Sequence, residues 1–173
     1  MSADSLRAMI REVPDFPKPG ILFYDITTLI ATPEGFREAI ELMTQPFASD
    51  DVDLVVGMES RGFIFSAPMA LRLDAGFVPV RKLGKLPAET ISVEYELEYG
   101  TNTLEVHRDA IRPKQRVLIV DDLLATGGTV LGTIELVKQL KGEIVGLSFL
   151  VELSFLKGRE RLDDYPITSV IGY

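Results

Sequence analysis

Two short runs, Asp53-Leu54-Val55-Val56-Gly57-Met58 and Arg116-Val117-Leu118-Ile119-Val120, constrain this chain more than any other feature. Each is rich in β-branched residues and apolar without alternation. A strand reads that way when both its faces are covered, as in a parallel sheet between layers of helices. The first run gives way to Glu59-Ser60-Arg61-Gly62, then a helical pattern over roughly Phe63 to Leu73, then Gly76 and a strand over Phe77 to Arg81. Strand, helix, strand is the repeating unit of such a sheet. The second run ends in Asp121-Asp122 and passes through a loop, Leu123 to Gly128. Beyond it a helix carries Val130, Leu131, Ile134, Val137 and Leu140 on its inner face, followed by a long strand region from Ile144 to Leu153.

The remaining segments fit around this frame. Leu6, Met9, Ile10 and Val13 predict a helix over Asp4 to Val13, ended by Pro14. Three prolines make residues 14–20 a turn-rich stretch. Pro33 opens a helix to about Ala48 with Phe36, Ala39, Ile40, Met43 and Phe47 inward. Lys82 to Thr90 is polar, with Gly84 and Pro87, and reads as an exposed loop or a flexible hairpin tip. Ile91 to Tyr99 and Thr103 to Val106 read as antiparallel strands around Gly100. A short helix near Leu156 to Leu162 and a strand over Ile167 to Ile171 follow. With no repeat or linker, the 173 residues predict one α/β domain, 1–173, with a mostly parallel sheet flanked by helices.

Composition removes several kinds of chemistry. There is no cysteine, which excludes disulfides and thiolate metal sites. The single histidine, His107, excludes multi-histidine zinc sites and leaves little for Ser-His or Cys-His nucleophile machinery. Eighteen Lys and Arg against 26 Asp and Glu give a net charge of −8, which argues against nonspecific binding to nucleic acid. Met1-Ser2-Ala3-Asp4 does not begin a secretory signal, and no apolar run approaches the ~20 residues that span a bilayer. A cytoplasmic protein with no membrane contact is expected.

The segment Val117-Leu118-Ile119-Val120-Asp121-Asp122-Leu123-Leu124-Ala125-Thr126-Gly127-Gly128-Thr129 carries most of the chemistry. Ligands of parallel α/β sheets bind beyond the carboxyl ends of the strands, where this loop must lie. Small residues from Ala125 to Thr129 let peptide N–H groups close around an anion. The following helix adds its positive end, and Thr126 and Thr129 add hydroxyls. Asp121 and Asp122 repel phosphate but suit vicinal sugar hydroxyls or a divalent cation. The plain alternative is a helix entry beside a solvated strand end; the ordered combination favours a phosphorylated ribose. No Walker lysine follows, and the spacing of a dinucleotide fingerprint is absent.

Arg61, Arg81, Lys82 and Lys85 place cations in or beside loops that follow strands, in a chain that is acidic overall. They suit charge developing on a polyphosphate leaving group, or they are ordinary surface residues. Lys82 to Thr90 is long enough to act as a lid that excludes water. Glu94, Glu96 and Glu98 alternate along one strand, and spacing alone puts all three on a solvent face. Phe23 reads as a core aromatic or as a stacking surface.

Residues 117–129 resemble the phosphoribosyl-pyrophosphate (PRPP) signature of the type I phosphoribosyltransferases. Further segments resemble the adenine-using branch of that family: Asp15-Phe16-Pro17-Lys18-Pro19-Gly20-Ile21-Leu22-Phe23, Glu59-Ser60-Arg61-Gly62-Phe63, Val80-Arg81-Lys82, Gly84-Lys85-Leu86-Pro87, Leu97-Glu98-Tyr99-Gly100, Val151-Glu152-Leu153 and Leu156-Lys157-Gly158-Arg159. The resemblance implies the family's twisted sheet, with a mid-chain loop or hairpin and a small N-terminal hood over about residues 1–32. It implies transfer of phosphoribose from PRPP to adenine, giving AMP and pyrophosphate. Mg²⁺ would be carried mainly by PRPP, without direct protein ligands, and the enzyme would be a cytoplasmic homodimer. By the same resemblance, Ala125, Thr126, Gly127, Gly128 and Thr129 hold the 5′-phosphate and Asp121 and Asp122 meet the ribose. Glu59, Ser60 and Arg61 form a pyrophosphate turn, commonly with a non-proline cis peptide, and Arg81, Lys82 and Lys85 assist them. Glu98 becomes the acid/base candidate. Phe23 and Leu123 sandwich the base, and backbone groups at Leu22 and Tyr24 read its edge. Tyr24 stands where the family often has arginine. A 6-oxopurine-using relative and a non-catalytic PRPP sensor are the alternatives; neither the acidic balance nor the length leaves room for a DNA-binding domain.

Overall fold

In the computed structural model, residues 2–96 and 101–173 are described. Seven strands form one sheet in the order β5-β6-β4-β3-β7-β8-β9, where β3 is Leu54–Met58, β4 Gly76–Lys82, β5 Thr90–Glu96, β6 Thr101–His107, β7 Arg116–Leu124, β8 Glu143–Glu152 and β9 Ile167–Gly172. Strands β4, β3, β7, β8 and β9 run parallel, and the β5–β6 hairpin joins antiparallel through β4. The unbroken apolar character of β7 has its predicted cause. Leu118 and Val120 enter one core while Val117 and Ile119 enter the other, and all four are fully buried.

Helices α3 (Pro33–Thr44) and α4 (Gly62–Arg72) cover the first face, and α5 (Gly128–Gln139) covers the second. Pro33 sits in the first turn of α3, and the Thr32 hydroxyl caps it by accepting from the Gly35 N–H. The α3 pattern ends in a 3-10 turn over Gln45–Phe47.

Three expectations need correction. The N-terminal helix α1 covers only Ala3–Arg7, and Arg11–Pro14 is a strand, β1, paired antiparallel with β2 (Leu22–Asp25). The apolar spacing of Met9, Ile10 and Val13 therefore reflects packing on both sides of a turn, and pairing with β2 overrides helical period. With the short α2 (Thr27–Ile30), these elements make the small hood. Next, β7 continues through Asp121 and Asp122 to Leu124, because β8 pairs with it as far as Glu152. Finally, Leu156 to Leu162 is two 3-10 turns, Ser154–Leu156 and Gly158–Arg161.

The chain order turns back at β3, with β4 on one side and β7 on the other. Such a switch point opens a crevice at the carboxyl ends of the strands. Glu59-Ser60-Arg61 after β3, Arg81-Lys82 closing β4, and Asp121-Asp122 late in β7 all meet there.

Candidate active site

The 125–129 loop closes β7 and opens α5. Gly127 caps the helix at φ +82°, a left-handed conformation in which a side chain is strained. Asp121, Leu123, Ala125, Thr126, Gly127, Gly128, Thr129 and Val130 enclose a pocket of about 70 Å³. Two threonines, five consecutive small or hydroxylated residues and a helix N-terminus thus share one concavity, as an anion cradle requires.

Beside it, the Asp122 side chain is buried, and its Oδ2 lies 3.0 Å from Arg61 Nε without making a hydrogen bond. Asp121 Oδ1 accepts from the Asp122 N–H at 2.9 Å. Burial pushes both carboxyls above the usual range. The Asp122 charge pushes Asp121 further up, whereas Arg61 opposes the rise at Asp122. The pair therefore presents a buried oxygen that still wants a hydroxyl donor or a cation.

Arg61 also ties this acid end to the hood, since its guanidinium carbon stands 5.6 Å from the centre of the Phe23 ring. Phe16 meets the same ring edge-on at 5.1 Å. Phe23 is therefore a half-buried aromatic at the mouth of the crevice, not a core residue. Leu123 lines the phosphate-loop pocket and Leu22 is exposed. The Tyr24 ring stacks on Tyr173 at 3.8 Å, and Arg7 lies over that second ring at 4.8 Å. A tyrosine in the family's arginine position thus fastens the hood to β9 through its side chain, and only its backbone is left for a ligand.

On the β3–β4 side, the peptide between Glu59 and Ser60 is cis. The Glu59 N–H donates to Val80 O at 2.9 Å, which ties the start of this turn to β4. The Glu59 carboxylate takes both Arg81 nitrogens, Nε at 3.2 Å and Nη2 at 3.4 Å, and the Lys82 N–H at 3.0 Å. Burial pushes Glu59 up, but the Lys82 N–H and the Arg81 guanidinium outweigh it and hold the carboxyl below its usual value. Its work is to aim cations, not to touch an anion. Arg81 Nη1 in turn donates to Lys85 O at 3.1 Å.

Glu105 is a residue that sequence reasoning missed. It is 3% exposed, and its Oε1 accepts the N–H groups of Lys85 at 2.9 Å and Leu86 at 3.0 Å. Burial pushes its carboxyl up, yet the Leu86, Lys85 and Gly84 N–H groups and the Thr90 hydroxyl hold it below the usual range. Further bonds from Leu83 N–H to Thr103 O of β6 and from Arg108 N–H, one residue past β6, to Glu89 O fasten both ends of the 83–89 segment. Of the two readings for Lys82 to Thr90, the exposed loop is the one the structure has, and hydrogen bonds tether it along its length. The only signal in the sequence was an acid between Leu104 and Val106, indistinguishable from a solvent-facing strand residue. Glu98 lies outside the described residues. Among the described residues, no three Asp, Glu or His side chains cluster as a metal site, and no helix is long and apolar enough to cross a membrane.

Comparison with known proteins agrees with this geometry. The family model for the phosphoribosyl transferase domain matches residues 25–171. The adenine phosphoribosyltransferase of Koribacter versatilis is 61% identical over 170 residues, covering 98% of this chain and 93% of its own. The crystal structure of adenine phosphoribosyltransferase from Thermoanaerobacter pseudethanolicus superposes with a TM-score of 0.96 at 52% identity, covering 99% of this chain and all of the other. That from Saccharomyces cerevisiae, complexed with D-2,5-dideoxy-2,5-imino-altritol 1,6-bisphosphate and adenine, gives 0.92 at 41% identity and covers 97% of each. With the family model matched over residues 25–171 and relatives 61% and 52% identical along nearly the whole chain, the chain belongs to the phosphoribosyltransferase family, in the adenine phosphoribosyltransferase branch.

Proposed function

We propose that this protein transfers the 5-phosphoribosyl group of PRPP to adenine, releasing pyrophosphate and forming AMP, in purine salvage. The observation that carries the reading is the pocket enclosed by Ala125–Thr129 with Asp121 and Asp122 beside it. A phosphate cradle next to buried oxygens that seek hydroxyl donors describes ribose 5-phosphate. The S. cerevisiae relative, complexed with a bisphosphorylated imino-sugar and adenine together, supports a site for a sugar carrying phosphate at both ends beside a base.

In this reading the ribose spans the crevice. Its 5′-phosphate takes the peptide N–H groups of Ala125, Thr126, Gly127, Gly128 and Thr129 and the threonine hydroxyls, and its ring hydroxyls go to Asp121 and Asp122. The pyrophosphate meets the Ser60 and Arg61 amides, with Arg81, Lys82 and Lys85 compensating the charge that grows as it departs. Adenine lies between Phe23 and Leu123, with backbone groups of Leu22 and Tyr24 on its edge. Glu98 assists removal of the N9 proton through a ring nitrogen. Asp122 Oδ2, buried and without a hydrogen bond, also fits Mg²⁺ brought in on PRPP. When bound, that ion neutralises pyrophosphate charge. By likeness to the family, the protein acts as a cytoplasmic homodimer.

The test is pyrophosphate release with each substrate alone, with both, and with hypoxanthine or guanine replacing adenine. Release only with PRPP plus adenine is expected, with 6-oxopurines slower by ~10²-fold or more, because their edge reverses donor and acceptor. Equal rates with the 6-oxopurines would remove the specificity and leave the PRPP site standing.

A further inference from the structure

We infer that Gly158 and Arg161 are positioning residues that aim the peptide N–H groups of the 125–129 loop at the 5′-phosphate. The inference rests on the phosphate-binding role proposed above for that loop. The two residues lie in the 3-10 turn Gly158–Arg161, which belongs to neither the strand nor the helix that carries the loop.

Gly158 does not adopt the left-handed backbone that calls for glycine. Its lack of a side chain has a different cause, since a Cβ there would stand 2.1 Å from the Ala125 carbonyl oxygen and 3.1 Å from the Gly127 nitrogen. Gly127 returns the contact, because its own Cβ would stand 3.2 Å from Gly158 O. Two glycines thus let two backbones touch behind the anion pocket. Arg161 closes the next peptide, donating from Nη1 to Thr126 O at 2.9 Å.

The turn is itself held firmly. Between its two working residues, Arg159 makes a bidentate pair with Glu152 at the end of β8, Nε to Oε1 at 2.9 Å and Nη2 to Oε2 at 2.6 Å. Its Nη1 and Nη2 also reach Ile167 O and Ser169 Oγ of β9, each at 3.1 Å. The planar guanidinium fork fits this geometry as an ammonium would not. The 3-10 turn therefore bridges the rigid β8–β9 edge to the phosphate loop.

What this does to the loop follows from peptide geometry. In a trans peptide the C=O of one residue and the N–H of the next point in opposite directions. Gly158 fixes the side of the backbone on which the Ala125 carbonyl lies, so the Thr126 N–H faces away from the turn. Arg161 holds the Thr126 carbonyl, so the Gly127 N–H faces away from Arg161. Both donors are set before any ligand arrives, and a preorganised anion site avoids the ordering loss that a floppy glycine loop would suffer.

The test compares Gly158→Ala, Arg161→Met and Gly128→Val with the unaltered enzyme, by calorimetric titration with ribose 5-phosphate and by KM for each substrate. Gly158→Ala changes no charge, and Arg161 is on the surface, so Arg161→Met is informative even should the alanine variant fail to fold. Both are expected to weaken ribose 5-phosphate and to raise KM for PRPP by tenfold or more, with KM for adenine within twofold, and in Arg161→Met thermal unfolding little changed. The loss in Arg161→Met should persist at high ionic strength, where a direct charge effect on phosphate would fade. Unaltered ribose 5-phosphate affinity in either folded variant, an equal rise in KM for adenine, or a loss that vanishes in salt would overturn the proposal. Gly128→Val separates the two layers. If it too binds ribose 5-phosphate normally, the phosphate reading of the loop fails; if it alone loses binding, only the positioning role fails.

Discussion

Asp121 and Asp122 set two carboxyls side by side in a largely water-excluded position, with one guanidinium between them and the solvent. For folding alone this is a poor arrangement. Burial raises both carboxyl pKa values above the ~3.9 of an unfolded aspartate, and the Asp122 charge raises Asp121 further. A raised carboxyl pKa means that the folded chain keeps protons the unfolded chain has released. Stability therefore falls as pH climbs from about 3.9 through the raised folded values. Asp121→Asn, whose amide oxygen can still accept the Asp122 N–H, should flatten that slope. It should also raise Tm at neutral pH, by roughly 2–4 °C per kcal/mol relieved, while weakening PRPP binding. A melting series across pH checks the first part and titration with PRPP the second. An unchanged Tm with full affinity would mean that the pair is merely a solvated strand end. Glu98 is argued from the family likeness alone, and Glu98→Leu should lower kcat by ~10²–10⁴ with PRPP affinity kept. Unaltered turnover would remove its acid/base role.

At the scale of elements, the 83–89 segment shows how a strand positions a loop it does not belong to. Glu105 projects from β6 and collects consecutive N–H groups of that loop, while Glu59 collects Arg81 and Lys82 from β4. Glu59 thus holds the Arg81 guanidinium and the Lys82 backbone, and Glu105 holds the backbone of Lys85 and Leu86. Glu105 is held below the usual carboxyl range, so it stabilises the fold above the unfolded value of about 4.3 and ceases to do so as pH falls through its folded value. Glu105→Gln removes the charge but keeps the shape. It should lower Tm at neutral pH, shrink the difference from the unaltered protein in acid, and raise KM for PRPP more than KM for adenine. Steady-state kinetics with each substrate varied in turn make the check. An unchanged KM for PRPP would leave Glu105 a purely structural acid.

For the molecule as a whole, the parts legible in the sequence were those that rest on burial of both sheet faces. Apolar runs containing Val and Ile at 54–58 and 117–120 read as strands covered on both faces, and the crevice at their carboxyl ends follows from the parallel topology. The anion loop was legible because small residues and threonines occur in order after such a strand. Other features depend on contacts between distant residues, which no local pattern encodes. Met9, Ile10 and Val13 carry a helical spacing, yet Val13 pairs with Phe23 across a hairpin. Glu105 looks like any strand acid until the loop from 84 to 86 folds onto it. Gly158 looks like punctuation until its neighbour, 33 residues earlier in the chain, is the Ala125 carbonyl. The sequence likeness singled out segments that the fold brings to one crevice at the carboxyl ends of the strands.

A crystal structure with AMP bound measures directly where the 5′-phosphate sits. It is expected inside the Ala125–Thr129 loop, with the ribose hydroxyls toward Asp121 and Asp122 and adenine against Phe23. A phosphate bound at the Glu59–Arg61 turn or anywhere else outside that loop would contradict it.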